Sequence, residues 1–289
     1  HKEFQALESH LSKASNAALN LGEDPENWVY WQEPDDSGDL RSTAKPIEAA
    51  PFTEPLLYHG TTRIFMSAHP GPKKVFCRSL GLDPSKTAWS PQASTYPVEN
   101  RPIHVVHAGS MGRASINQTL PGLLRMITKI MTRHADEKGI IHCNSYKLGS
   151  AIQAHLAGTE HAMRILYPLK AHQREVMLRE HAFSKEPTVL LSPSMTEGFS
   201  LDDGLARWQV IAKCPFPYLG DRQVAAKRER DPAWYAMQTA MAIIQACGRI
   251  VRSDEDWGAT YILDTDFDTL LRRNPDFFPN WFQQAFVWH

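Results

Sequence analysis

Gln245, Arg249 and Arg252, in the run Gln245-Ala-Cys-Gly-Arg-Ile-Val-Arg252, carry an amide and two guanidiniums at spacings of four and three residues. Such groups donate directed hydrogen bonds to phosphate oxygens, and their charge suits a polyphosphate that gains charge during phosphoryl transfer. On a helix the spacing i, i+4, i+7 puts all three on one face. Gly248, beside Arg249, would let a backbone or ligand approach closely. The competing structural account is that these arginines complement the end of a helix dipole and pair with Asp254 or Glu255.

The element that must present them is a helix over 233–251, in which Trp234, Met237, Met241, Ile244 and Gly248 recur at helical spacing. Upstream, short apolar runs alternate with helical patterns. Strands are expected at Arg63–Ser67, Ile103–Val106, Gly139–Cys143, Met163–Tyr167, Thr188–Ser192, Trp208–Ala212 and Thr260–Asp264. Helices are expected over 73–80, 117–134, 146–156 and 171–183. Strands this apolar are covered on both faces, which predicts an α/β fold with a mainly parallel, doubly wound sheet. Right-handed crossovers then bring the strands' carboxyl ends, with Ser67, Asn144, Ser192 and Asp264, to one edge. Residues 2–20 read as an amphipathic helix without a partner, Trp28–Trp31 as a short strand, and the polar passage to Glu54 as a connection. The aromatic tail from Pro275 reads as a short helix covering the core.

Lys and Arg (31) nearly cancel Asp and Glu (32), which excludes a global positive field; any nucleic-acid contact must be local. Cys77, Cys143, Cys214 and Cys247 are far apart and form no CxxC pair, so buried thiols in a reducing, cytoplasmic compartment are expected. No apolar run reaches membrane-spanning length. The thirteen histidines lack ligand spacing, and no metal site is expected. The basic run within Pro217–Asp231 reads as a solvated surface or a DNA-facing segment.

Taken in order, Met66-Ser-Ala-His69, Cys143-Asn-Ser-Tyr146, Ser192-Pro-Ser-Met-Thr-Glu197-Gly198 and the Gln245–Arg252 run resemble the second motor domain of superfamily 2 helicases of the XPD/DinG type. The resemblance covers roughly residues 60 to 270; the last motif is its most specific part, supported by Asp256-x-Gly258 and Leu263-Asp264. It implies a RecA-like domain over 59–289, preceded by a helix and linker (1–58) left from the foregoing domain or its insertion. It also implies that Arg249 and Arg252 act as arginine fingers on the γ-phosphate, and that Gln245 contacts that phosphate or orients the attacking water. Glu197, Gly198 and Asp202 fall in the nucleotide-sensing loop. Ser67, Ser145, Tyr146, Ser192 and Ser194 fall where the family grips single-stranded DNA. Three departures stand out. His69 replaces the family's threonine, Ser200 replaces an aspartate that Asp202 or Asp203 would have to supply, and there is neither a GxxxxGK[ST] loop nor an acidic pair ending an apolar strand. ATP and Mg²⁺ are therefore expected to be held by an N-terminal motor domain of the same polypeptide, with none bound and negligible turnover in this stretch alone. A non-catalytic nucleic-acid-binding module is the alternative. A small-molecule enzyme using Asp264, Asp266 and Asp268 is a third reading.

Overall fold

The computed structural model describes residues 2–57, 59–67, 69–168, 173–193, 201 and 203–289. The chain divides into two compact units, one of residues 1–66, 72–89 and 217–235, the other of 67–71, 90–216 and 236–289. The segments 72–89 and 217–235 thus group with the N-terminal residues.

In the first unit, α1 (Lys2–Glu23) leaves Phe4, Leu11 and Leu19 exposed. β1 (Trp28–Pro34) pairs antiparallel with β2 (Leu40–Pro46), so the passage expected to be a connection is a hairpin. Two short helices, α2 (Glu54–Leu57) and α3 (Lys73–Leu80), follow. The expected strand at 63–67 does not form: its Ile64 and Met66 are exposed, with nothing to pair against. Helix α7 (Arg222–Arg230) is capped by Asp221, whose carboxylate accepts from Gln223 and Val224 N–H at 2.8 and 3.2 Å. Its basic residues stitch the unit together. Lys227 pairs with Glu48 at 3.3 Å and lies over the Trp234 ring, while Arg230 donates to the Glu26 carbonyl. Arg222 and Lys45 both lie over Trp31.

The second unit is built on a seven-stranded sheet whose pairs are all parallel, in the order β5-β6-β4-β7-β8-β3-β9. The strands are β3 (Ile103–Gly109), β4 (Gly139–His142), β5 (Ile165–Leu166), β6 (Val189–Ser192), β7 (Trp208–Ile211), β8 (Ala259–Asp264) and β9 (Phe286–Trp288). The helices are α4 (Ile116–Arg133), α5 (Tyr146–Leu156), α6 (Arg174–Phe183), α8 (Pro232–Cys247), α9 (Asp266–Arg273) and α10 (Asn280–Gln283). α8 begins in the first unit and belongs to the second from Ala236.

Alternation along the strands sorts the core into two layers. Ile141, Leu191, Val210 and Leu263 face Leu123, Ile127 and Met131 of α4 and Leu148, Ile152 and Leu156 of α5. Each such buried side chain contributes about 2 kcal/mol. Ile140 and Leu190 point the other way and meet Leu201, Ala206, Ile250 and Val251. At the strands' amino ends Arg164 donates to the carbonyls of Pro187, Met131, His134 and Glu137, an arginine wholly committed to structure. The tail buries Phe277, Phe278 and Phe282, as expected of core cover, but it also ends in β9, a strand the sequence reading missed.

Gly139 opens β4 against the fully buried Trp208; a Cβ there would lie 2.6 Å from the indole Cζ2 and closer still to two other ring carbons. The ring cannot retreat from a packed core, so Gly139→Ala should destabilise the chain by about 3 kcal/mol. A urea midpoint unchanged from that of the parent would show that the indole has room to move.

Candidate functional site

Helix α8 stops at Cys247, shorter than expected, and this changes how the three phosphate-directed groups are presented. Gly248 N–H still reaches the Ile244 carbonyl at 3.1 Å, but Arg249 N–H closes on Ala246 at 3.1 Å, tightening the last turn. Gln245 is the only member of the trio on the helix. Arg249 lies in the turn and Arg252 in the irregular segment beyond, so a single helical face does not describe them. The physical reason is the pair between them: Ile250 and Val251 are buried on the sheet, and a continuing helix would have swung one of them into water. Gly258 makes room for this, since a Cβ there would come within 2.8 Å of Ile250 Cδ1. Gly248 itself has only ordinary neighbours, so it serves no close approach among the described residues.

The resulting pattern is Gln245 exposed, Arg249 half-buried and Arg252 exposed, pinned by the apolar pair. Arg252 is fixed through its main chain. Its N–H donates to Asp256 Oδ2 at 3.0 Å and its carbonyl accepts from the Tyr96 hydroxyl at 3.0 Å. Asp256 is buried and central. It takes Arg207 Nη1 at 2.6 Å and Trp257 N–H at 2.9 Å on Oδ1, and Asp203 N–H at 3.5 Å on Oδ2. Arg207 lies over the Trp257 ring, 4.7 Å from its centre. Sequence spacing had pointed to Asp254 or Glu255 as acidic partners; Asp256 does the holding, and through backbone rather than side chain. Burial, and then the charges of Arg252 and Arg174, keep the Arg249 guanidinium below the usual arginine range. Arg174, at the start of α6, is a basic neighbour that no motif flagged.

The expected DNA-contacting residues divide. After β4, Asn144 adopts φ 48°, a left-handed conformation that asparagine tolerates, and turns the chain into α5. Ser145 is the N-cap there, accepting from Leu148 N–H at 3.3 Å, and its own O–H remains a donor. Tyr146 next to it is exposed. Ser192 is buried, and its carbonyl accepts from Cys143 N–H at 2.9 Å. Ser67 is exposed and its Oγ accepts from His69 N–H at 3.3 Å. Ser67 stands at no strand end, because the strand before it is absent. His69 is buried, which lowers its basicity, and its Nε2–H donates to the Phe277 carbonyl at 3.1 Å. Ser194, Glu197, Gly198, Ser200 and Asp202 lie outside the described residues.

Two of the aspartates of the small-molecule reading, Asp264 and Asp268, hold structural contacts. Asp264 accepts from Met111, Asp266 and Cys214 N–H at 3.0, 3.1 and 2.8 Å, tying three loops, and burial raises its pKa. Asp268 pairs with His107 at 2.6 Å. Among the described residues no group of three or more His, Cys, Asp or Glu could hold a metal ion, and no helix is long and apolar enough to cross a membrane. The two guanidiniums of the phosphate-directed trio are donors alone and Gln245 adds an amide N–H2, a set that fits phosphate oxygens.

Residues 127–285 match the family model described as helicase C-terminal domain. The chain is 27% identical over 107 residues to a regulator of telomere elongation helicase 1 homolog of Caenorhabditis elegans, covering 32% of this chain and 10% of that protein. It is 33% identical over 94 residues to a Fanconi anemia group J protein homolog of Gallus gallus, covering 28% and 7%. The chain thus spans about a tenth or less of these curated relatives. Two XPD helicase structures share the fold. One aligns with TM-score 0.61 at 15% identity over 94% of this chain and 49% of its own. The other, an apo XPD, aligns with TM-score 0.59 at 15% identity over 94% and 57%. The chain belongs to the helicase C-terminal domain family and has a RecA-like fold.

Proposed function

We propose that this chain is the C-terminal motor domain of an ATP-dependent DNA helicase. It grips the backbone of single-stranded DNA and supplies arginine fingers to ATP and Mg²⁺ held by an N-terminal motor domain of the same polypeptide. The observation that carries the proposal is the pairing of a fixed backbone with an exposed residue at Arg252: N–H and carbonyl are both held, while its charge acts on Arg249. Donors held this way are already oriented when charge develops on the transferring phosphoryl group. A polyphosphate would also relieve the mutual repulsion of Arg174, Arg249 and Arg252. Glu197, Gly198 and Asp202 are assigned to the nucleotide-sensing loop. Ser67, Ser145, Tyr146, Ser192 and Ser194 are assigned to the DNA backbone, where hydroxyl and amide donors suffice without a large net charge.

The test compares the full-length protein with residues 1–289 alone. The full-length protein should hydrolyse ATP in a DNA-stimulated manner, and the 289-residue chain should show no turnover above background. Fluorescence anisotropy of labelled single-stranded DNA should weaken steeply with salt for the full-length protein. DNA-stimulated turnover by the 289-residue chain alone would refute the division of labour. One observation favours a second reading, a non-catalytic nucleic-acid-binding module: His69, where the family carries threonine, is spent on the Phe277 carbonyl. Salt-dependent DNA binding without ATP turnover by the full-length protein would select that reading.

A further inference from the structure

A chain of buried polar groups crosses the sheet on the face where Ile250 packs. His142, at the carboxyl end of β4, Gln209 of β7 and Thr260 of β8 are all buried. Register places Ile140 beside Gln209 and Gln209 beside Thr260, and His142 shares the face of Ile140 one pleat further on. Gln209 Nε2 donates to Thr260 Oγ1 at 2.8 Å, so its Oε1 is the atom turned to His142 Nε2, at 3.3 Å. Thr260 in turn bonds the thiol of Cys247, the last residue of α8 and two before Arg249. These directions fix the imidazole tautomer. Nε2 carries the hydrogen, and Nδ1 is a bare lone pair, fully buried and without a hydrogen-bond partner.

Arg249 is the cation whose charge acts on that imidazole, although no hydrogen bond joins the two in this structure. Ile250, the residue after Arg249, is buried in one cluster with Ile140, whose sheet face His142 shares. Burial first, and then the nearby Arg249 charge, push the His142 pKa down to about 4, consistent with a neutral acceptor facing a guanidinium. We propose that His142 is a positioning residue, its Nδ1 accepting from the Arg249 guanidinium and holding that finger at the nucleotide edge. The relay through Gln209, Thr260 and Cys247 ties the same imidazole to the end of α8, so the histidine and the helix that launches the finger are set by one network. This inference rests on the finger role proposed for Arg249.

The experiment is a double-mutant cycle in the full-length protein with saturating single-stranded DNA, reading kcat and KM for ATP. His142→Phe keeps the ring's bulk and removes the acceptor; it should lower kcat about tenfold and leave KM and DNA affinity within about twofold. His142→Gln, which retains an acceptor oxygen, should recover part of the loss. In an Arg249→Ala background, His142→Phe should cost less than about twofold, because the group it positions is gone. A loss of the same size in both backgrounds, or no loss in the parent, overturns the positioning role while the finger assignment stands. If Arg249→Ala alone leaves turnover near that of the parent, the finger assignment fails and the positioning role fails with it.

Discussion

Replacing Arg249 with alanine in the full-length protein is expected to lower DNA-stimulated ATP turnover by about a thousandfold, the lower end of what a finger arginine contributes in phosphoryl transfer. Affinity for single-stranded DNA should stay within about twofold of the parent, because the groups assigned to DNA sit on other segments, around Ser67 and Tyr146. Arg249→Lys should recover less than about a tenth of the lost rate, since an ammonium offers a point charge without the planar fork that matches phosphate oxygens. Steady-state turnover together with anisotropy binding checks both halves. A variant that retains more than about a tenth of parental turnover would remove Arg249 from the chemistry, whatever its position.

Asp256→Ala should give the largest loss of stability among single changes near the site, about 3 kcal/mol. The buried carboxylate holds the Arg207 guanidinium at 2.6 Å and accepts from the N–H groups of Arg252, Trp257 and Asp203. Removing one partner of a buried pair costs about 3–5 kcal/mol, and the lower figure applies because Arg207 keeps some access to water. Asp256→Asn, which retains an acceptor oxygen but not the charge, should cost about half as much. Urea unfolding of the chain checks the stability. In the full-length protein the alanine variant should also lose turnover, because the Arg252 backbone is released on its amino side. A variant whose midpoint matches the parent would show that Arg207 and the three N–H groups find other partners.

How far the sequence alone reaches can be judged element by element. Continuous apolar runs such as Gly139–Ile141 and Val189–Leu191 report strands buried on both faces, and they stand where expected in an all-parallel sheet. α5 runs from Tyr146 to Leu156 as read, because Ser145 is a cap that sequence can recognise. The hairpin strand Leu40–Pro46 was missed because its residues are largely exposed and polar, leaving no alternation to detect. The opposite error arose at Ile64 and Met66, apolar residues with no sheet beneath them. At the site, residue types were readable and geometry was not. Periodicity extended α8 to Val251, whereas the burial of Ile250 and Val251 ends it at Cys247. Asp256 was legible as part of Asp256-x-Gly258, but its hold on the Arg252 main chain and on Arg207 was not, because a main-chain contact carries no spacing signature in a single chain.

The order of strands has a consequence for biosynthesis. β3 lies between β8 and β9, both of which leave the ribosome about 150 residues or more after it. At about 5–20 residues per second, a nascent β3 therefore waits roughly ten to thirty seconds with both hydrogen-bonding edges open. An apolar strand in that condition is a template for pairing with a neighbouring chain, so soluble yield should depend on how quickly translation carries the polysome from residue 110 to residue 264.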